Sequence, residues 1–130
     1  VKLVQSISSE DELFVLLDNY NWDNGFEVPE AIINHPNCTL SLALLAFYRA
    51  DGLRYLFEGE DAFANPLSKS WETFIKEVYD KILKEQYQNG SISYQPEITN
   101  IQKFKLKKLH PNLSSFILDG ISEKDLHILL

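Results

Sequence analysis

Between positions 40 and 48 the residues Leu40, Leu42, Ala43, Leu44, Leu45, Ala46, Phe47 and Tyr48 leave only Ser41 polar, and no other stretch restricts the fold as strongly. A helix apolar on nearly every side has to be covered on nearly every side. Residues 40–50, with Thr39 as N-cap, are therefore expected to form the central element of the core. The run is far shorter than the roughly 20 residues that a bilayer crossing needs. Asp51 and Gly52 then break or bend the helix, and Leu53, Tyr55, Leu56 and Phe57 carry it on for about one further turn.

The flanking sequence supplies the cover. Ser9 and Glu12 have the spacing of a capping box, with Glu10 and Asp11 favourable at the positive end of the dipole, so a first helix is expected up to about Asp18. Residues 19–25 form a polar turn ending in Asn24 and Gly25. Pro29 suits the first turn of a short helix over 29–34, which Pro36 stops. Over residues 69–88, Trp71, Phe74, Ile75, Val78, Tyr79, Ile82, Leu83 and Tyr87 keep helical spacing, and Gly90 ends the helix. Its outer face pairs Glu72 with Lys76, Glu77 with Lys81 and Asp80 with Lys84. Residues 91–100 read as extended or irregular. Residues 101–109 alternate like a strand at Phe104 and Leu106, yet Ile101, Phe104 and Lys108 share one helical side, and helix is preferred. His110, Pro111 and Asn112 repeat His35, Pro36 and Asn37, and Ser122 to Asp125 look like one more helix start. The expected fold is all-α: antiparallel helix pairs, as a bundle or short repeat-like array, around the helix at 40–50, with short extended segments admitted in the C-terminal part. One domain over 1–130 is expected, with a helical unit at 10–83 and an extension at 91–130.

Charge narrows the partners. The net charge is −7, and residues 1–65 hold eleven Asp/Glu against three Lys/Arg, whereas residues 66–130 hold eight against nine. An acidic surface repels phosphate backbones and favours basic partners, so nucleic acid is not expected as a ligand. The only basic concentration, Lys103, Lys105, Lys107 and Lys108, carries no Arg and a single aromatic, Phe104, and reads as a solvated face. One cysteine, no long apolar run and no basic-then-apolar leader point to a cytoplasmic protein without a membrane span.

Three constellations bear on chemistry. Asn19, Asn21, Asp23 and Glu30 stand at the first, third, fifth and twelfth positions of a calcium-loop spacing, but the sharp turn needs glycine where Asn24 stands, and two early ligands are neutral amides. Calcium is rejected, and no metal or cofactor is expected. His35 and Cys38 invite a zinc or nucleophile reading, yet zinc lacks further cysteines, and the plainer expectation is a buried Cys38 beside a turn whose imidazole bonds to backbone. Trp22, beside Tyr20 in the polar turn, either folds back as an anchor or stands out as a partner contact. No nucleotide-binding, hydrolase or zinc-protease motif is present.

The run Asn19, Tyr20, Asn21, Trp22, Asp23, Asn24, Gly25, Phe26, Glu27, followed by Pro29, Ile32, His35, Pro36, Cys38, Ala43, Leu44 and Phe47, resembles a family of small bacterial proteins catalogued as a domain of unknown function. The resemblance covers residues 10–83 and implies no agreed activity. By analogy, small acidic proteins of this kind are similar to immunity proteins that neutralise a toxin. The expected function is a non-catalytic interaction module whose acidic face, at Trp22, Asp23 and Glu27, meets a basic protein. The alternative is an enzyme with its site between the turn at 19–30 and the turn at 35–38.

Overall fold

The computed structural model describes residues 2–123, which contain eight α-helices and no strand. These are α1 (Lys2–Ser6), α2 (Glu10–Asp18), α3 (Glu27–Ile33), α4 (Leu40–Arg49), α5 (Gly52–Glu58), α6 (Lys69–Leu83), α7 (Asn100–Leu109) and α8 (Ser115–Asp119). The all-α architecture is as expected. Helix α4 packs against α2, α3, α5 and α6, and every residue from Ser41 to Phe47 is buried. Each fully buried Leu or Phe of such a helix is worth roughly 1.5–3 kcal/mol of transfer free energy, which is why α4 organises the rest.

Several boundaries differ from expectation, each for a local reason. Helix α1 lies outside the sequence-based expectation; Val4 is buried in it, and the helix rests on α3. Helix α3 begins at Glu27, ahead of Pro29, because backbone N–H groups of a first turn have no intrahelical acceptor and a proline there loses nothing. Thr39 does occupy the N-cap of α4, but its hydroxyl donates to Glu10 Oε2 at 2.7 Å rather than capping the helix. Asp51 adopts a left-handed backbone with φ 67°, so α5 is a separate helix and not a continuation of α4. Helix α6 stops at Leu83, short of residue 88. Glu85, at φ 54°, takes the turning role expected of Gly90, and Tyr87 reaches back through its hydroxyl to the Ile33 carbonyl at 2.9 Å.

The irregular segment after α6 is a strap over the remaining face of α4. Leu40 N–H donates to Gln88 O, Ser41 Oγ donates to Ile92 O at 2.7 Å, and the Tyr48 ring lies 6.5 Å from that of Tyr94. Glu10 pins it from the other side, accepting from Ser91 N at 2.9 Å and Ser91 Oγ at 3.2 Å. Tyr94 and Ile121 exchange both backbone hydrogen bonds at 2.8 Å, an extended contact of the kind admitted for this part of the chain. Residues 101–109 are helical as α7, started by a capping box between Thr99 and Gln102. The helix start at Ser122 leads into residues 124–130, which lie outside the described residues.

Candidate functional site

Helix α2 ends where Asn19 folds its side chain back, Nδ2 donating to Val15 O at 2.8 Å. Asn21 then caps a short 3-10 turn, Trp22–Asn24, by accepting from Asp23 N at 3.0 Å. Gly25 supplies the φ of 93° that turns the chain into α3, and the Tyr20 hydroxyl closes the turn on Gly25 O at 2.7 Å. Beneath it the Trp22 ring meets Tyr20, Phe26 and Phe74 at centroid distances of 5.5, 6.2 and 5.9 Å, edge to face. Trp22 is half-buried and folded back onto α6. Its indole Nε1 is fully covered and donates to no acceptor among the described residues, a desolvation cost that the aromatic packing has to offset.

With Trp22 as anchor, the acids of this stretch point outward. Asp23, Glu27 and Glu30 are exposed and form no ion pair among the described residues. Other acids are paired locally, Asp18 with Arg49, Glu58 with Arg54, Glu60 and Glu72 with Lys76, Glu77 with Lys81, Asp80 with Lys84 and Asp119 with Lys103, whereas Asp11, Glu12, Asp51, Asp61, Glu85 and Glu97 are, like Asp23, Glu27 and Glu30, exposed without an ion pair among the described residues. The Glu27 carboxylate is felt by Tyr20, whose hydroxyl is held above its ordinary pKa by burial first and by that charge second.

Glu27 and Glu30 also line an open groove of about 850 Å³ between α3 and the chain leaving α1. Ile7, Ala31 and Pro36 are its apolar lining, and Ser8, Asn34 and Asn37 are part of its polar lining. Its walls are pinned together: Asn37 Nδ2 donates to Ser8 O at 2.7 Å, and His35 Nε2 lies 2.7 Å from Ile7 O. The wall at residues 5–8 escaped the sequence reading, although Val4 and Ile7, three apart and both apolar, are a signal for a short helix facing inward.

The arrangement an enzyme would need at His35 and Cys38 is not formed. His35 Nδ1 accepts from Asn37 N at 3.0 Å, so Nε2 carries the proton and donates to Ile7 O; both nitrogens are occupied by backbone. Cys38 is buried, its thiol sits 3.7 Å from Thr39 O, and burial pushes its pKa up to about 12, far from a reactive thiolate. Asp23 bonds to neither. The repeated His-Pro-Asn sequence has one structural job at both places: Cys38 N bonds to His35 O and Leu113 N to His110 O, each at 3.0 Å, while His110 Nε2 reaches Leu56 O at 2.7 Å. Each is a tight turn clipped by its imidazole to a distant carbonyl. For calcium, Asn21 has already committed its side-chain oxygen to the Asp23 amide, Asn19 is turned back by its Nδ2 onto Val15 O, and no cluster of three or more His, Cys, Asp or Glu suited to a metal occurs among the described residues. No helix among the described residues is long and apolar enough to cross a membrane.

A family model described as Domain of unknown function (DUF4274) matches residues 8–83, a span that holds α2 to α6, the aromatic-anchored turn and most of the groove. No curated protein and no solved structure matches the chain significantly.

Proposed function

The chain belongs to the DUF4274 family, whose description assigns no activity, and we propose from its surface that it is a protein-interaction module whose acidic face receives a basic partner. One observation carries this reading: Asp23, Glu27 and Glu30 stand exposed and without an ion pair among the described residues, next to the turn that Trp22 anchors, and Glu27 and Glu30 line an open groove. Unneutralised like charges destabilise the free protein slightly and raise the rate of encounter with an oppositely charged surface. Trp22 acts as the anchor, Asp23 and Glu27 as the contacts, and Glu30 extends them into the groove. Immunity-like neutralisation of a toxin is one concrete version, because a toxin that acts on nucleic acid needs a basic surface for its own substrate.

Affinity capture from lysate of the source cells tests the reading, with wild type and Asp23→Lys/Glu27→Lys/Glu30→Lys as baits at low and high salt. The expected result is a basic protein retained by wild type at low salt, and lost both at high salt and from the variant bait. Equal recovery on the two baits would sink it.

A further inference from the structure

Helix α7 lies beyond the matched family unit and buries only Leu106. On the opposite side of the helix stand Ile101, Phe104, Lys105 and Lys108, with Ile101 68% and Phe104 61% exposed. Lys103 pairs with Asp119, but Lys105, Lys107 and Lys108 have no ion-pair partner among the described residues, and Lys108 Nζ sits 4.8 Å above the Phe104 ring. Two large apolar side chains ringed by free ammonium groups call for an acidic surface with apolar floor. An anionic bilayer or nucleic acid is disfavoured by the net charge of −7, and packing α7 against a second α7 sets lysine against lysine.

The groove at α3 has the complementary chemistry. Glu27 and Glu30 are three residues apart on one helix, as are Lys105 and Lys108 on the other, so both pairs span about 5–6 Å. Two ion pairs can form at once while Ile101 and Phe104 reach Ile7, Ala31 and Pro36. We propose that the α7 face docks into the acidic groove of a second copy of this chain, so that copies associate head to tail. The inference rests on the groove being a surface for basic partners, and it makes α7 a competitor for such a partner. A face of this size gives a weak, reversible, salt-sensitive contact.

Sedimentation velocity on the full chain tests it. The sedimentation coefficient is expected to rise with concentration at low salt and to lose that rise at high salt. Glu27→Lys/Glu30→Lys and Ile101→Ser/Phe104→Ser should each remain monomeric with unchanged far-UV circular dichroism, and an equimolar mixture of the two should give capped one-to-one dimers. A wild type that stays monomeric, a groove variant that still associates, or a mixture that remains monomeric overturns the proposal. A monomeric wild type that still captures a basic protein through Glu27 and Glu30 overturns self-association alone and leaves the groove reading standing. A monomeric wild type that binds anionic vesicles through Ile101 and Phe104 also overturns it, assigning α7 to a lipid surface.

Discussion

Replacing Gly52 by alanine asks whether α4 is as tightly enclosed as its burial implies. Gly52 opens α5, is buried, and is not among the glycines with a left-handed backbone. In an exposed helix the substitution stabilises by up to about 1 kcal/mol. Here a Cβ meets Cε2, Cδ2 and Cζ of Phe47 at 2.5–2.6 Å. Phe47 has no exposed surface, stacks on Tyr79 at 5.4 Å and meets Tyr48 edge-on at 5.2 Å, so the ring has nowhere to go. Overpacking of this kind costs about 1–3 kcal/mol, which exceeds a propensity gain that is smaller still at the first helical position. The expected net loss is about 1–2 kcal/mol, or a fall in Tm of roughly 4–8 °C for a domain of this length. Thermal and urea melts of Gly52→Ala, Phe47→Leu and the double variant complete a cycle in which the smaller side chain should relieve about 1 kcal/mol of the strain. A Gly52→Ala protein that melts at or above wild type, or a cycle that is simply additive, would refute the tight enclosure of α4.

Other consequences follow from the strap and the buried hydroxyls. Glu10→Ala removes the carboxylate that holds Thr39 and Ser91 together, and the urea midpoint should report a loss of about 2 kcal/mol; a loss under about 0.5 kcal/mol means that the strap is held elsewhere. Burial pushes the hydroxyls of Tyr48, Tyr87 and Tyr94 up, Tyr94 to about 12, and the Cys38 thiol likewise to about 12. Unfolded, these groups release protons from pH 9 for the thiol and 10 for the phenols, while the folded chain keeps them. Their contribution is therefore complete below pH 9 and lost as pH rises toward 12; a urea midpoint unchanged between pH 8 and pH 11 would contradict this. Cys38 should react with a thiol reagent at neutral pH at least about 100-fold more slowly in the folded protein than in urea, and comparable rates would show that it is not enclosed.

The frame of this fold was legible where pattern and chemistry coincide. The apolar run of α4 demanded burial all round and receives it; Ser9 caps α2 through the Glu12 amide; and the three acid-first pairs of α6 form as spaced. What escaped the sequence is what depends on three-dimensional competition. Tyr87 continues the apolar spacing of α6, yet leaves the helix because its hydroxyl finds the Ile33 carbonyl. Ile101 and Phe104 share one side of α7 by their spacing, but spacing cannot say that Leu106 is the residue facing inward. The turn at 19–25 is polar and glycine-ended in sequence, but the fate of Trp22 is not legible there, because the partner rings Phe26 and Phe74, one of them distant in sequence, decide it. The groove was invisible for a similar reason: one wall comes from residues 5–8 and is fastened by His35 and Asn37, nearly thirty residues further along.

Amide chemical-shift mapping of the labelled full chain, titrated with the basic protein recovered by capture, tests the interaction reading most directly. The predicted perturbations fall on residues 22–31 and on the groove walls at 5–8 and 34–37, and they vanish for the Asp23→Lys/Glu27→Lys/Glu30→Lys protein. Perturbations confined to the lysine-bearing outer face of α6, or unchanged by the charge reversals, would show that the acidic face is not where this protein meets its partner.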